Sequence, residues 1–465
     1  MGSKDILILG AGPAGMACAM ELYKEGRSFT IVEKDRQVGG LAKTYRFGEF
    51  RTDNGPHRFY SQNRYLYSFI ENLLGEKWIK VDRFTRFYIQ GKFYMYPVQW
   101  KNALGNIGVF TAGKFMLDML VQKLNVLKRQ PRNFEEYAVN SFGRGLAELN
   151  VLNYTEKAWG LSCTQLSVDW AQQRIKGLSV RSLIMNTLFK KKGPKTLVDQ
   201  FYYPDMGTGT IYETIMERIK EKNPVLLENE PVTIIHDGSE IREVILKKGE
   251  KLPPEKLISS IPITELLRLL KPAPPDEVMQ AAKKLRYRSQ VYLFITVNKP
   301  SVSRDQWIYF PDKEVPFGRI SEMRNFSKKM SPEGKTSLFV EFFCWEGDET
   351  WNKTKERLFD ETITWLDRLG LLRREEVIEV YRIRKRNVYP VYDLDYKNHL
   401  AVLKDYLDRF SNLIYIGRPG RFRYTNQDHS LEMGILAARS VIENRKYDLD
   451  KIGAEQEYFE RGYAS

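Results

Sequence analysis

The stretch from Asp5 to Gly15 constrains the fold more than any other part of the chain. Asp5-Ile-Leu-Ile-Leu9 is a short, unbroken apolar run, and Gly10-Ala11-Gly12-Pro13-Ala14-Gly15 follows at once. A run without polar alternation is the pattern of a parallel strand buried on both faces. The glycines match G-x-G-x-x-G, a spacing with a physical cause. Gly10 permits a tight turn, Gly12 lets backbone approach a pyrophosphate, and Gly15 lets helix and strand pack closely. A helix is predicted from Met16 to about Lys24, and the free N–H groups at its start would face the anion. Ser28–Glu33 reads as the second strand, ending on a carboxylate that can accept hydrogen bonds from ribose hydroxyls. A glycine turn without ligand is the alternative, but strand, motif, helix, second strand and terminal Glu33 occur in order. The reading is a Rossmann-type dinucleotide unit over residues 5–40.

NAD and FAD compete for such a unit, and three features favour FAD. Gly39-Gly40 lies just past Glu33 and gives flexible backbone beside the pyrophosphate. The unit stands at the N-terminus of the chain. Near the other end, a buried strand, Asn412–Gly417, runs into Arg418 and a final helix from about Ser430 to Asn444. The dipole of that helix, with Asp428 and Ser430 as candidate N-caps, can act on the flavin pyrimidine and stabilise an anionic reduced form. The expectation is one FAD per chain, with NAD(P)H at most a transient reductant. The cofactor set read from these segments takes in Gly10, Gly12, Pro13, Ala14, Gly15, Glu33, Lys34, Gly39, Gly40, Leu41, Gly417 and Arg418.

Between the two ends, the pattern from about Tyr60 to Leu197 is mostly helical. Its clearest pieces are Asn63–Leu74, Asn106–Leu127, Asn133–Leu149 and Ser167–Gln173. A helix is predicted over Thr210–Lys222, and a hairpin around Asp237-Gly238 pairs Pro231–His236 with Ile241–Lys247. Arg288–Val297, Ser337–Phe343 and Tyr381–Arg384 alternate as strands of a second sheet. The fold class is therefore α/β: a Rossmann-type FAD-binding domain, an inserted mostly helical domain and a second, largely antiparallel sheet domain. The expected division is 1–60, 200–260 and 405–445 for the FAD domain, 61–199 for the helical insertion, 261–404 for the substrate sheet and 446–465 for a tail.

Composition narrows the partners. The 465 residues carry 73 basic against 59 acidic side chains, a net charge of +14 that suits an anionic partner. The basic residues are spread out, and the one dense run, Lys190-Lys191-Lys192, reads as a solvated loop, which argues against nucleic acid. Three scattered cysteines, Cys18, Cys163 and Cys344, form no CxxC pair, so neither metal site nor disulfide framework is indicated. No apolar run is long enough to span a membrane, and the first strand starts too early for a signal peptide; the expected location is cytoplasmic. The amphipathic stretch Leu104–Leu127 leaves peripheral membrane contact open.

Further segments choose among flavoproteins. Asp53-Asn-Gly55-Pro56-His57, Trp159 with Arg174 fifteen residues on, and Trp307-Ile-Tyr309-Phe-Pro311 with Arg319 are the internal ones. Tyr389-Pro390 and Gly417-Arg418-Pro-Gly420-Arg-Phe-Arg-Tyr424-Thr-Asn426-Gln-Asp428-His429-Ser430 follow. Together they resemble UDP-galactopyranose mutase and its close relatives, within the larger amine oxidase and protoporphyrinogen oxidase group. The match covers most of the chain and is tightest at its ends. Gly-Pro-His and Tyr424-x-Asn426 look bacterial, whereas Asn-Gln-Asp-His-Ser and Trp-x-Tyr-Phe-Pro look like the eukaryotic branch.

The resemblance implies interconversion of the pyranose and furanose forms of a UDP- or dTDP-linked sugar, without net redox, in which reduced flavin N5 attacks the anomeric carbon. It makes Arg174 and Arg319, the phosphate arginines, and His57, a flavin neighbour, the catalytic set, Trp159, Tyr309, Tyr389, Tyr424 and Asn426 substrate contacts, and Gly55, Pro56, His57, Val232, Gly417, Arg418, Asn426, Gln427 and Ser430 further cofactor contacts. Planar guanidinium forks suit a departing pyrophosphate. Each residue also has a plainer reading. Arg174 or Arg319 alone equally fits a surface ion pair, and Trp159, Trp307 and Tyr309 fit core aromatics, the reading preferred for Trp307. His236 and His399 read as structural or surface residues, and His429 as a helix-start residue. The competing class is an oxidase or desaturase of the same fold, acting on an apolar substrate. It would want an apolar tunnel, which two buried arginines oppose. A flavin-binding protein without catalysis is disfavoured by so many aligned polar groups.

Overall fold

The computed structural model describes residues 5–61, 63–96, 100–124, 130–170 and 200–453. A five-stranded parallel sheet runs in the order Leu413–Tyr415, Lys256–Ser259, Ile6–Leu9, Phe29–Val32, Val225–Leu226. Leu7 and Leu9 point into one apolar cluster, Ile6 and Ile8 into another. The period-two alternation of a strand therefore buries both faces, which is why the run carries no polar residue. The helix Pro13–Lys24 packs along Gln427–Ile442. The contact is close because a Cβ on Gly434 would fall 2.1 Å from the Ala14 carbonyl oxygen.

The second sheet has seven strands, in the order Val377–Pro390, Tyr287–Val297, Thr336–Cys344, Arg319–Glu322, Trp307–Tyr309, Thr85–Ile89, Lys92–Tyr96. Val291, Leu293 and Ile295 cover one face against the helix Lys355–Arg368. Arg288, Gln290 and Tyr292 alternate with them and so present a polar face on the other side. The long edge strand extends well beyond the predicted Tyr381–Arg384.

The stretch expected to be helical also supplies strands. Thr85–Ile89 and Lys92–Tyr96 form a hairpin that joins this second sheet beside Trp307–Tyr309. Its turn, Gln90-Gly91, takes φ of +48° and +80°, the double left-handed geometry of a two-residue hairpin. Two predicted helices break at glycines. Gly108 (φ +82°) separates Trp100–Ile107 from Val109–Leu124, and Gly143 (φ +79°) ends Phe134–Phe142. A π-helical turn, Ala147–Leu152, then leads into Asn153–Trp159. All three cysteines are buried and free. Among the described residues no helix is long and apolar enough to cross a membrane.

Candidate functional site

At the N-terminal motif, geometry follows the glycines. Gly10 has φ +94°, and its N–H donates to the Val32 carbonyl at 2.8 Å, tying the turn to the second strand. A Cβ on Gly15 would sit 2.0 Å from the Gly10 oxygen, so only glycine lets the helix lie this close. Gly12, followed by Pro13 as the first helical residue, faces Gly40, whose added Cβ would stand 3.0 Å from the Gly12 Cα. Two backbones thus meet with no side chain between them, held by the Gly39 N–H on the Ala11 carbonyl at 2.8 Å. Glu33 is buried, and its carboxylate accepts the Ala11 and Asp35 N–H groups at 2.7 and 2.9 Å. A bare glycine cradle at a helix start beside an oriented carboxylate fits the ADP half of a dinucleotide.

The remaining cofactor candidates vary in placement. Leu41 turns its carbonyl to the His57 ring at 3.2 Å and to Asn54 Nδ2 at 3.3 Å. The side chain of Asn54 also holds a buried oxygen without a partner. Lys34 is exposed. Val232 lies at a register shift in the Pro231–His236 strand, without a partner across the hairpin. Gln427 is committed to structure, donating to the Tyr212 hydroxyl and accepting from Thr208. The final helix begins at Gln427, capped by Asn426 rather than by Asp428 or Ser430. Asn426 takes extended backbone there, and its N–H donates to His429 Nδ1 at 3.2 Å. Asp428, expected to cap, is buried inside the first turn, and burial pushes its carboxyl well up. Ser430 bonds back to the Asn426 carbonyl.

The polar face of the second sheet gathers the other candidates. Tyr309, Arg319 and Glu341 are direct cross-strand neighbours, so their side chains share one face. Arg319 forks onto Glu341, Nε to Oε1 at 2.6 Å and Nη2 to Oε2 at 2.8 Å. Burial lowers the basicity of that guanidinium, but the Glu341 charge and hydrogen bonds more than reverse it. Its Cζ lies 5.7 Å from the Tyr309 ring centre, and that ring stacks on Phe87 of the unexpected hairpin at 4.9 Å. Tyr389 and Tyr424 stack at 5.4 Å, and the Arg418 guanidinium lies over both, 5.1 and 5.3 Å from their centres. Arg418 is held by the Thr425 and Val388 carbonyls and makes no carboxylate ion pair among the described residues. Trp159 closes this group edge-on to Tyr389 and Tyr424 at 5.9 and 6.2 Å. Lys157, two residues earlier, donates to the Phe310 and Asp312 carbonyls and so pins the tryptophan helix to the segment after Tyr309.

His57 joins the two halves. A Cβ on its neighbour Gly55 would lie 3.6 Å from both Arg319 Nη2 and Glu341 Oε1. Because Leu41 offers only a carbonyl, Nε2 carries the ring proton. Burial, and then the Arg418 and Arg319 charges, lower the imidazole from its ordinary 6.5 to about 4. Trp307 is a buried core residue stacked on Phe326, as preferred from the sequence. Arg174 lies outside the described residues.

Sequence reasoning missed Glu341, Gln290 and Phe87. Glu341 had a usable signal: it is the lone charge in Leu338-Phe-Val-Glu341-Phe-Phe-Cys344, and a carboxylate in such a strand needs a buried cation.

Residues 13–390 match the family model for flavin containing amine oxidoreductases. The chain belongs to that family. Along nearly its whole length it is also similar to UDP-galactopyranose mutases. It is 22% identical to a protein of Klebsiella pneumoniae described as a probable UDP-galactopyranose mutase, over 95% of this chain and 96% of that one. The crystal structure of a reduced UDP-galactopyranose mutase superposes with a TM-score of 0.85 at 24% identity, covering 97% and 99% of the two chains. Cyclohexylamine oxidase from Brevibacterium oxydans superposes at 0.67 with 15% identity, over 95% and 99%. The fold is thus that of FAD-binding enzymes of the amine oxidase group, and the chain is a flavoprotein.

Proposed function

We propose that this flavoprotein is a nucleotide-sugar mutase, interconverting pyranose and furanose forms of a UDP- or dTDP-linked sugar with no net redox change. The observation that carries the reading is the meeting of Arg319, Tyr309, Tyr389, Tyr424, Arg418 and Trp159 beside the His57 loop. An oxidase of apolar amines has no use for two buried guanidinium groups in one aromatic pocket, whereas a diphosphate does. Bound FAD, when reduced, supplies an electron-rich N5 able to attack the anomeric carbon.

The chain's own residues supply charge and position. Arg319 enters the site already forked on Glu341, which fixes its plane and leaves its outer N–H groups for phosphate oxygens. That pair is neutral overall, so net positive charge for the diphosphate comes from Arg418 and from Arg174. Burial, with Tyr424 beside it, pushes the Tyr389 phenol up, so Tyr389 stays protonated and donates to an oxyanion. Trp159 presents a flat wall to the sugar, and Asn426 reaches its hydroxyls from the helix start. The neutral His57 holds the loop at the flavin without adding charge. NAD(P)H serves at most as the reductant.

The test is anaerobic turnover of UDP-galactopyranose with and without dithionite, with ring form read by NMR and peroxide measured in air. Activity confined to the reduced protein, without proportional peroxide, is the expected result. Activity confined to the oxidised protein, or one peroxide per product, assigns an oxidase instead.

A further inference from the structure

A cleft of about 260 Å³ opens between the helix Tyr396–Leu407, the loop Arg421–Arg423 and Asp450. Four cations line it: Lys397, Lys404, Arg421 and Arg423. Two carboxylates answer them. Asp450 is shared by Lys404 and Arg421, both at 2.6 Å. Asp169 holds Lys397 at 2.8 Å and the Tyr396 hydroxyl at 3.0 Å. Arg423 has no carboxylate within ion-pair distance among the described residues. Its Nη1 donates to the Leu449 and Asp450 carbonyls, and burial lowers its basicity. A half-buried guanidinium satisfied only by carbonyls is an incomplete arrangement, because Asp450, the carboxylate near enough to act on it, is already shared by Lys404 and Arg421. The cleft therefore carries a surplus of two positive charges. Its aromatic wall is the parallel pair Tyr392 and Tyr396, 4.3 Å apart.

We propose that this cleft binds a phosphate-bearing anion at a second site, separate from the flavin-side pocket. A phosphate or pyrophosphate dianion matches the charge surplus. The volume falls below the ~300 Å³ at which sites for larger organic ligands begin, so the cleft admits the phosphate and not a whole nucleotide sugar. The site has a direct line to the catalytic pocket: the Tyr424 N–H donates to the Tyr392 hydroxyl at 2.7 Å. An occupant that shifts Tyr392 shifts the backbone of Tyr424, which makes the cleft a place where free phosphate or pyrophosphate from solution can act on turnover. The binding claim stands whether or not the mutase reading does.

Calorimetric titration of the FAD-loaded protein with inorganic phosphate and with pyrophosphate tests it. Saturable binding at low ionic strength is expected, tighter for pyrophosphate. It should weaken by about tenfold or more in Lys404→Gln and in Arg423→Gln, as for loss of one charge-assisted contact. Exposed Lys397→Gln gives a smaller loss in a variant with little reason to misfold. In Arg319→Lys the component of pyrophosphate binding that Lys404→Gln weakens should persist, whatever is lost at the flavin-side pocket, which separates the two sites. A parallel titration with UDP distinguishes the sources: a Lys404→Gln loss equal for UDP and pyrophosphate means that only the phosphate is read. No saturable binding at millimolar pyrophosphate, or binding lost in Arg319→Lys and kept in Lys404→Gln, overturns the proposal.

Discussion

The two halves of the site are built in opposite ways. On the nucleotide side, Gly10, Gly12, Gly15, Glu33, Gly39 and Gly40 are close in sequence, and each acts through backbone shape or one oriented carboxylate. On the sheet side, His57, Trp159, Arg319, Glu341, Tyr389, Arg418 and Tyr424 come from distant segments and act through charge and ring contacts that exist only after the strands have paired. At Gly10, Gly15 and Gly40 the first half leaves no room for a side chain. The second depends on how charges are matched, Arg319 by Glu341 and Arg418 by carbonyls and rings. The two should therefore fail differently: the first by losing cofactor, the second by losing stability or turnover with cofactor still bound.

On the first side the expected effect is loss of the cofactor itself. In Gly12→Val the added Cβ stands 3.9 Å from the Gly40 Cα, an ordinary contact, so the fold can accept it while the branched side chain fills the space that the bare backbone leaves for the pyrophosphate. Affinity for FAD should fall by on the order of 100-fold, about 2.7 kcal/mol. Flavin released per chain on denaturation measures it, with circular dichroism checking that the fold persists. Full flavin content in Gly12→Val would mean that the cradle is not the cofactor site.

On the sheet side, Glu341→Ala strips a buried guanidinium of its counterion. The cost should be about 3–5 kcal/mol, seen as a lower urea midpoint, with bound flavin still present in the folded fraction. Arg319→Met in the same chain should recover much of that loss, because the orphaned charge is then gone. Turnover should stay lost in the double variant. If Glu341→Ala proves as stable as the parent, the pair is not the electrostatic anchor that the fork implies.

The same contrast explains what could be read in advance. The parallel strands, the glycine cradle, the Asp237-Gly238 hairpin and both terminal segments are written in local patterns of period, turn and spacing. Arg319 and Tyr309 were legible as candidates because they fall in a recognisable stretch. Their meeting with Glu341 was not, since it depends on the register of three strands separated in the chain. The hairpin Thr85–Tyr96 had a signal, aromatic-rich runs on both sides of Gln90-Gly91, but its helical surroundings masked it. The breaks at Gly108 and Gly143 were missed because apolar periodicity continues across both glycines. The cap at Asn426 was misplaced because Asp428 and Ser430 are equally good cap residues by type, and only the backbone turn decides among them.

The finest test bears on the joint between the halves, His57. Its folded value of about 4 lies below the ordinary 6.5, because the ring is half-buried and faces Arg418 and Arg319. As pH falls, the unfolded chain takes up this proton before the folded one does. The contribution of neutral His57 to stability is therefore complete above about 6.5 and is lost between 6.5 and 4. His57→Gln keeps a donor for the Leu41 carbonyl but has nothing to titrate. Between pH 7 and pH 4.5 the parent should lose about 1–2 kcal/mol more than His57→Gln, less than the full linkage because the ring is only partly covered. Urea midpoints of the two proteins across this range measure the difference. Groups common to both cancel, including Asp53, which burial raises to about 6 and which therefore contributes with the opposite sign. Removing one arginine sharpens the test: in Arg418→Met the His57 ring should titrate closer to 6.5, as followed by its proton resonances. A ring that already titrates near 6.5 in the parent would mean that the Gly55-Pro56-His57 loop does not stand against Arg319 and Arg418, and that the two halves do not share one site.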